Sequence, residues 1–171
     1  IFLQSNGVSP SYAQKVFKHY GNESIKKVKE NPYQLSRDIH GIGFKSADKI
    51  AQAMGLAKDA YGRIDAGIEY ALLEGSDEGH VCHPISEFLK NAQEILEVGQ
   101  DLIEARFPFL VQESRIELGE MVFEGAMTRF IWLKRLFLSE VGIGRQLSRL
   151  RRSPCELRKI DTQKALEWVQ S

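Results

Sequence analysis

The sequence predicts a mainly α fold: a tandem helix-hairpin-helix unit, then a winged-helix-like α+β module, then a basic C-terminal helix. Three observations predict it. Glycines and prolines punctuate the first third at short intervals, with helical periodicity between them. A glycine-turn motif centred on Ile42 recurs more loosely around Val8, 34 residues earlier. Beyond residue 62, apolar stripes at helical spacing alternate with short strand-like runs. The expected divisions are 1–61, 62–136 and 137–171.

Ser9-Pro10 reads as an N-cap followed by proline at the first helical position. Val16, Phe17 and Tyr20 supply that helix's apolar stripe, and Gly21 closes it. Asn22 is expected to cap a second helix with Ile25 and Val28 facing inwards. Asn31-Pro32 ends that helix, because a residue before proline avoids helical dihedrals. A short turn through Leu35 leads to Ile39-His40-Gly41-Ile42-Gly43. The next helix carries Ala47, Ile50, Ala51 and Met54 on one face and stops at Gly55.

In the second third, Ile64, Ile68, Ala71 and Leu72 mark a helix, and Gly79 to His83 reads as a short strand. Pro84 opens a helix with Ile85, Phe88, Leu89 and Ala92 inside, and another runs near Asp101–Phe107. Phe109–Glu113 and Arg129–Lys134 are expected to form a hairpin. Helix, strand, helix, helix, strand, strand is the order of a winged-helix module. A basic helix over Phe137–Arg151 follows.

The formal net charge of zero conceals a partition. Residues 1–61 hold nine Lys/Arg against five Asp/Glu, residues 62–125 four against fourteen, and residues 126–171 ten against four. A polyanion would meet the two ends and be repelled by the centre. No run approaches the ~18 apolar residues of a membrane span, so no membrane partner is expected. Cys82 and Cys155 offer no disulfide framework, and a reducing, cytoplasmic setting is expected. His80-Val81-Cys82-His83 has no second ligand pair elsewhere, so no metal site is expected. The chain opens inside an apolar run without an initiator Met and reads as part of a longer polypeptide.

Chemistry concentrates in His40-Gly41-Ile42-Gly43-Phe44-Lys45-Ser46-Ala47-Asp48-Lys49-Ile50. Glycines let the backbone turn tightly and leave room for a ligand. The helix starting behind them points unpaired amides and its positive end at the same place, which suits a phosphate oxygen. Ile42 plugs the core, and Lys45 and Lys49, four apart, reach neighbouring phosphates. The candidate DNA-binding residues are therefore Gly41, Ile42, Gly43, Phe44, Lys45, Ser46 and Lys49, with Gly7, Val8, Ser9 and Lys15 from the earlier copy. Ser9 stands where the second glycine belongs, so close phosphate approach is expected mainly at the later hairpin. Val141-Gly142-Ile143-Gly144-Arg145 imitates a third copy, but Arg149 occupies its alanine position, and the segment reads as part of the basic helix.

These residues resemble a known family. Phe2 to Val8, Asn31 to Leu35, and Ile39 to Ala51 are similar to the region preceding the motor in RecD-like ATP-dependent DNA helicases (exodeoxyribonuclease V alpha-subunit-like) with a long N-terminal extension. Arg63-Ile64, Gly79-His80, Ile131 to Leu133 and Ser139-Glu140 continue the likeness, and Asp161 to Val169 resembles the family's helical lead-in to its nucleotide-binding segment. The resemblance implies a parent that moves 5′ to 3′ on single-stranded DNA in repair or recombination. Its motor domain would use ATP and Mg, with single-stranded or junction DNA as partner. No cofactor is expected within these residues, which contain no Gly-x-x-x-x-Gly-Lys-Ser/Thr.

Two rivals stand beside this reading. A helix-hairpin-helix DNA glycosylase would place a lysine after the hairpin and an aspartate some twenty residues on, as Lys45 and Asp65 are placed, but Arg63 to Gly67 lacks that class's Val-Asp-Thr context. Asp65 is expected to cap or face solvent instead. A protein-interaction module would use its acidic middle to bind a basic partner.

Overall fold

A computed structural model describes residues 8–154 and 161–170. The described residues up to Leu138 form one compact unit, and those from Ser139 a second. Cys155 lies outside the described residues.

Helix α1 (Pro10–Tyr20) starts as its residues dictate. Ser9 is extended and its side chain accepts from the Tyr12 amide, with proline in the first turn. A 3₁₀ turn (Gly21–Glu23) leads to α2 (Ser24–Glu30). Asn22 does not cap α2. Ser24 Oγ instead donates to the Val16 and Gly21 carbonyls, anchoring the turn to α1. Val16 and Val28 are fully buried, whereas Phe17 and Ile25 face solvent. Tyr12, Ala13 and Tyr20 pack partly buried against the same core as Val16.

Asn31 accepts from the Tyr33 amide and opens a second 3₁₀ turn (Pro32–Gln34), followed by α3 (Leu35–Asp38). Helix α4 (Phe44–Ala53) then lies between two cores. Ile50 joins Val8, Val16, Val28, Leu35 and Ile42 in the first. Phe44, Ala47 and Ala51 join a second, larger core with Ile64, Ile68 and Leu72. The single apolar face expected for α4 is divided: Ile50 and Met54 go one way, Ala47 and Ala51 the other. The division expected at residues 61/62 is therefore crossed by continuous packing.

The larger core belongs to the mixed module. Helix α5 (Tyr61–Asp77), β1 (Cys82–Pro84), α6 (Ile85–Leu96), α7 (Gln100–Glu104), α8 (Phe107–Gln112), β2 (Ile116–Phe123) and β3 (Ala126–Leu133) follow, the expected winged-helix order with one short helix, α8, added before the hairpin. The antiparallel sheet has the order β1-β3-β2, with Cys82 opposite Trp132 and Ile116 opposite Leu133. Phe109–Glu113, expected as a strand, belongs largely to α8. Phe107 and Leu110 are buried at i, i+3 spacing, and Pro108 fits a helix's first turn. The hairpin partner of β3 lies later in the chain. Its two-residue turn is Glu124-Gly125, with φ of 51° and 82°, the left-handed pair a tight hairpin needs.

Helix α9 (Lys134–Arg152) runs without a break through Val141 to Arg145, so no third hairpin forms there. Among the described residues of the second unit, α10 (Thr162–Gln170) is the other helix. No described helix is long and apolar enough to cross a membrane.

Candidate nucleic-acid interface

The turn before α4 is built by one left-handed residue. Gly41 has φ +85°, a conformation that would strain any L side chain, whereas Gly43 is extended at φ −87°, ψ 174°. Ile42 between them is 2% exposed and bonds back to the Ile39 carbonyl at 3.1 Å, which fixes the loop on the core. Gly43 occupies the N-cap of α4 and has no side chain to accept from the first-turn amides. The Ser46 and Ala47 amides both donate to the Gly43 carbonyl at 3.1 Å. The Ser46 amide is thus already bonded, which leaves the amides of Phe44 and Lys45 as the first-turn donors for which no side-chain cap is seen.

The earlier copy is built differently. Val8 is 4% exposed in the same core as Ile42, so the two plugs do meet. Ser9, however, closes its own helix end: its Oγ accepts from the Tyr12 amide at 3.3 Å and lies 3.0 Å from Ser11 Oγ. A side chain fills the place where a ligand oxygen would sit. Gly7 lies outside the described residues.

The lysines are placed unequally. Lys49 is exposed on α4. Lys45 is exposed too, but its ammonium lies 3.7 Å from the Glu74 carboxylate and 5.4 Å from the centre of the Tyr70 ring. The Tyr70 hydroxyl and then Glu74 raise its pKa. Lys15 belongs to α1 but serves the second turn: a Cβ at residue 41 would lie 3.0 Å from its ammonium. The structure thus brings Lys15 to Gly41, while Lys45 turns to Glu74 and Tyr70 and Phe44 is buried in the larger core.

Behind the turn sits a buried anchor that periodicity and spacing do not reveal. Asp48 accepts from Tyr33 Oη at 2.8 Å, Gln52 Nε2 at 3.0 Å, and Arg63 Nε and Nη2 at 2.8 and 3.2 Å. Arg63, 4% exposed, also donates to the Lys58 and Leu96 carbonyls at 2.9 and 2.7 Å. Burial, and then the Asp48 carboxylate, push the Tyr33 phenol pKa far up, so it remains a donor.

Asp65 contradicts its expected place. It is 8% exposed, and both oxygens are held by Arg106, through Nε at 2.7 Å and Nη2 at 2.9 Å, with Arg115 at 3.8 Å. With both oxygens engaged by a guanidinium, this carboxylate is not turned towards an open base pocket. The glycosylase reading loses its aspartate.

Comparison with known proteins identifies the family of the hairpin region. Residues 1–82 match the family model of the ATP-dependent RecD2 DNA helicase HHH domain. A relative, the ATP-dependent RecD2 DNA helicase of Deinococcus radiodurans, is 34% identical over 120 residues. The alignment takes in 70% of this chain and 16% of that protein, so the chain spans only a small part of its relative's length. The first 82 residues are therefore a helix-hairpin-helix domain of the RecD2 DNA helicase family.

Proposed function

We propose that this chain is the DNA-binding accessory region of an ATP-dependent 5′–3′ DNA helicase acting in repair or recombination, and that its second hairpin holds a backbone phosphate. The observation that carries this reading is the uncapped start of α4 behind the left-handed Gly41, with Lys15 beside it. Two outward amides at a helix N-terminus bind an anion without regard to base sequence. Lys15 and Lys49 add charge that a neighbouring phosphate meets. Lys45, held by Glu74 and Tyr70, contributes less than its position in the motif suggests. ATP and Mg would be used by a motor domain of the same polypeptide. The first hairpin supports the second and is not itself a phosphate site.

The test is DNA binding by the Lys15→Ala/Lys49→Ala variant across a salt series. Affinity is expected to fall for all sequences alike. The slope of log affinity against log salt should flatten by roughly one to two units, at about 0.9 per lost contact on duplex and 0.7 on single strands. A folded double variant with unchanged affinity and slope would place the contact elsewhere. Wild-type protein without any DNA affinity at low salt would favour the protein-interaction reading.

A further inference from the structure

The hairpin of the winged-helix module ends in an open edge. The sheet order β1-β3-β2 leaves β2 with one neighbour among the described residues, so every second residue along it presents its amide and carbonyl outwards. Proteins commonly blunt such an edge with a bulge, a proline or a lysine. Strand β2 has none of these. Its register with β3 runs unbroken from Ile116 opposite Leu133 to Phe123 opposite Ala126, through Ile-Glu-Leu-Gly-Glu-Met-Val-Phe. The outer half of the hairpin is also apolar: Val122 and, across from it, Met127 are 69% and 68% exposed, with Met121 and Phe123 exposed beside them.

Strand alternation puts Leu118, Glu120 and Val122 on one face, the face on which Leu118 packs against the larger core. A cavity of about 370 Å³ lies beside the strand there, with Ile85, Phe107, Pro108 and Leu118 as its apolar lining and Glu120 and Arg129 among its charged lining. A second cavity shares Ile85, Glu104 and Arg129 with it and extends to Met127. Arg129 stands opposite Glu120 in the register but bonds to Glu104 instead, at 2.7 Å. Glu117 is held by Lys134. Glu120 and Glu124 are exposed and have no ion-pair or hydrogen-bond partner among the described residues.

We propose that β2 is a docking edge for an extended, basic segment of a partner protein, which adds to the sheet as a further strand. The pattern of β2 specifies the segment. Along one face it offers apolar Leu118, acidic Glu120, apolar Val122 and, at the turn, acidic Glu124. A matching segment carries apolar and basic side chains in turn at every second position, with small polar residues between them. Main-chain bonds to the edge hold it, and an apolar side chain enters the cavity beside Leu118. Opposite charges on neighbouring strands stabilise their pairing and like charges oppose it. Two β2 edges bring together carboxylates alone, so charge selects a basic partner over a second copy. DNA meets the same carboxylates, and the hairpin's one cation, Arg129, is tied to Glu104. The inference does not rest on the phosphate site at α4.

The experiment uses the full 171-residue chain and a fluorescein-labelled peptide as long as β2, Val-Thr-Lys-Thr-Val-Thr-Lys-Thr. Binding is read by fluorescence anisotropy at low salt. The lysine peptide is expected to bind about tenfold tighter than the same peptide with glutamate at both lysine positions, as two opposite-charge pairs become like-charge pairs. Methylating its alternate backbone amides should abolish binding, since the strand bonds are then lost. Val122→Ser/Met127→Ser, at two solvent-exposed positions, should weaken it by about tenfold. Glu120→Lys/Glu124→Lys should invert the preference towards the glutamate peptide, which a folding defect cannot do. No binding of the lysine peptide, equal binding of the two peptides, or indifference to methylation overturns the proposal. Sedimentation that shows wild-type dimers dispersed by the serine variant overturns it in favour of a second copy. A serine variant with reduced affinity for duplex or single-stranded DNA overturns it in favour of a nucleic-acid contact.

Discussion

Asp48 shows how much one residue of the glycine motif contributes without touching a ligand. It sits among Tyr33, Gln52 and Arg63, and its loss would leave the Arg63 guanidinium buried with a single carbonyl pair for company. Breaking a buried pair from one side costs about 3–5 kcal/mol. Asp48→Ala is expected to lower the unfolding free energy by that amount, measured by urea denaturation. Asp48→Ala/Arg63→Met should recover part of it, since removing both charges removes the desolvation cost. A single variant within ~1 kcal/mol of wild type would show that the cluster is not a structural anchor. Neither partner was legible in advance. Asp48 and Arg63 are 15 residues apart on two helices, and local periodicity carries no information about which polar side chains meet across helices.

Elements with covalent punctuation were read correctly, and those shaped by distant packing were not. Ser9-Pro10 fixes a helix start and Asn31-Pro32 a helix end through local geometry, and both are seen as expected. Strand β2 was missed because only its first residue, Ile116, is fully buried, so its alternation carries little hydrophobic signal. Segment Phe107–Gln112 was misread because a six-residue apolar run fits either period until its neighbours choose. The short β1 strand adds a pH dependence that the sequence alone did not suggest. His83 packs against α5 so closely that a Cβ at Gly75 would lie 2.1 Å from Nε2, and that nitrogen has no hydrogen-bond partner among the described residues. Burial, and then the nearby His80, lower its pKa below 6.5, outweighing Glu87 and Glu78. The folded state therefore resists a proton that the unfolded state accepts. Stability is full above about pH 6.5 and is lost as pH falls through the window below it. Melting temperatures measured from pH 7.5 to 5.5 should decline in wild type and decline less in His83→Leu, which keeps the packing and has no proton to bind. Parallel curves would assign the pH dependence to other groups.

At the scale of the whole molecule, α4 is the joint between the hairpin pair and the winged-helix module, since its residues enter both cores. The two halves of the first unit are expected to unfold in one transition. In a Trp168→Phe background, Trp132 fluorescence reports the module, and amide exchange at Val16 and Val28 reports the hairpins. Ile42→Ala, in the first core, should shift both probes equally by about 2–5 kcal/mol. Separate midpoints would mean that the halves are independent. The hairpin copies also divide labour by a single atom group: Ser9 satisfies its own helix end, while Gly43 leaves its end open. An open end held on both sides by packed cores has little left to order when an anion arrives. The heat-capacity change of DNA binding should accordingly be small, the calorimetric mark of donors already standing in place.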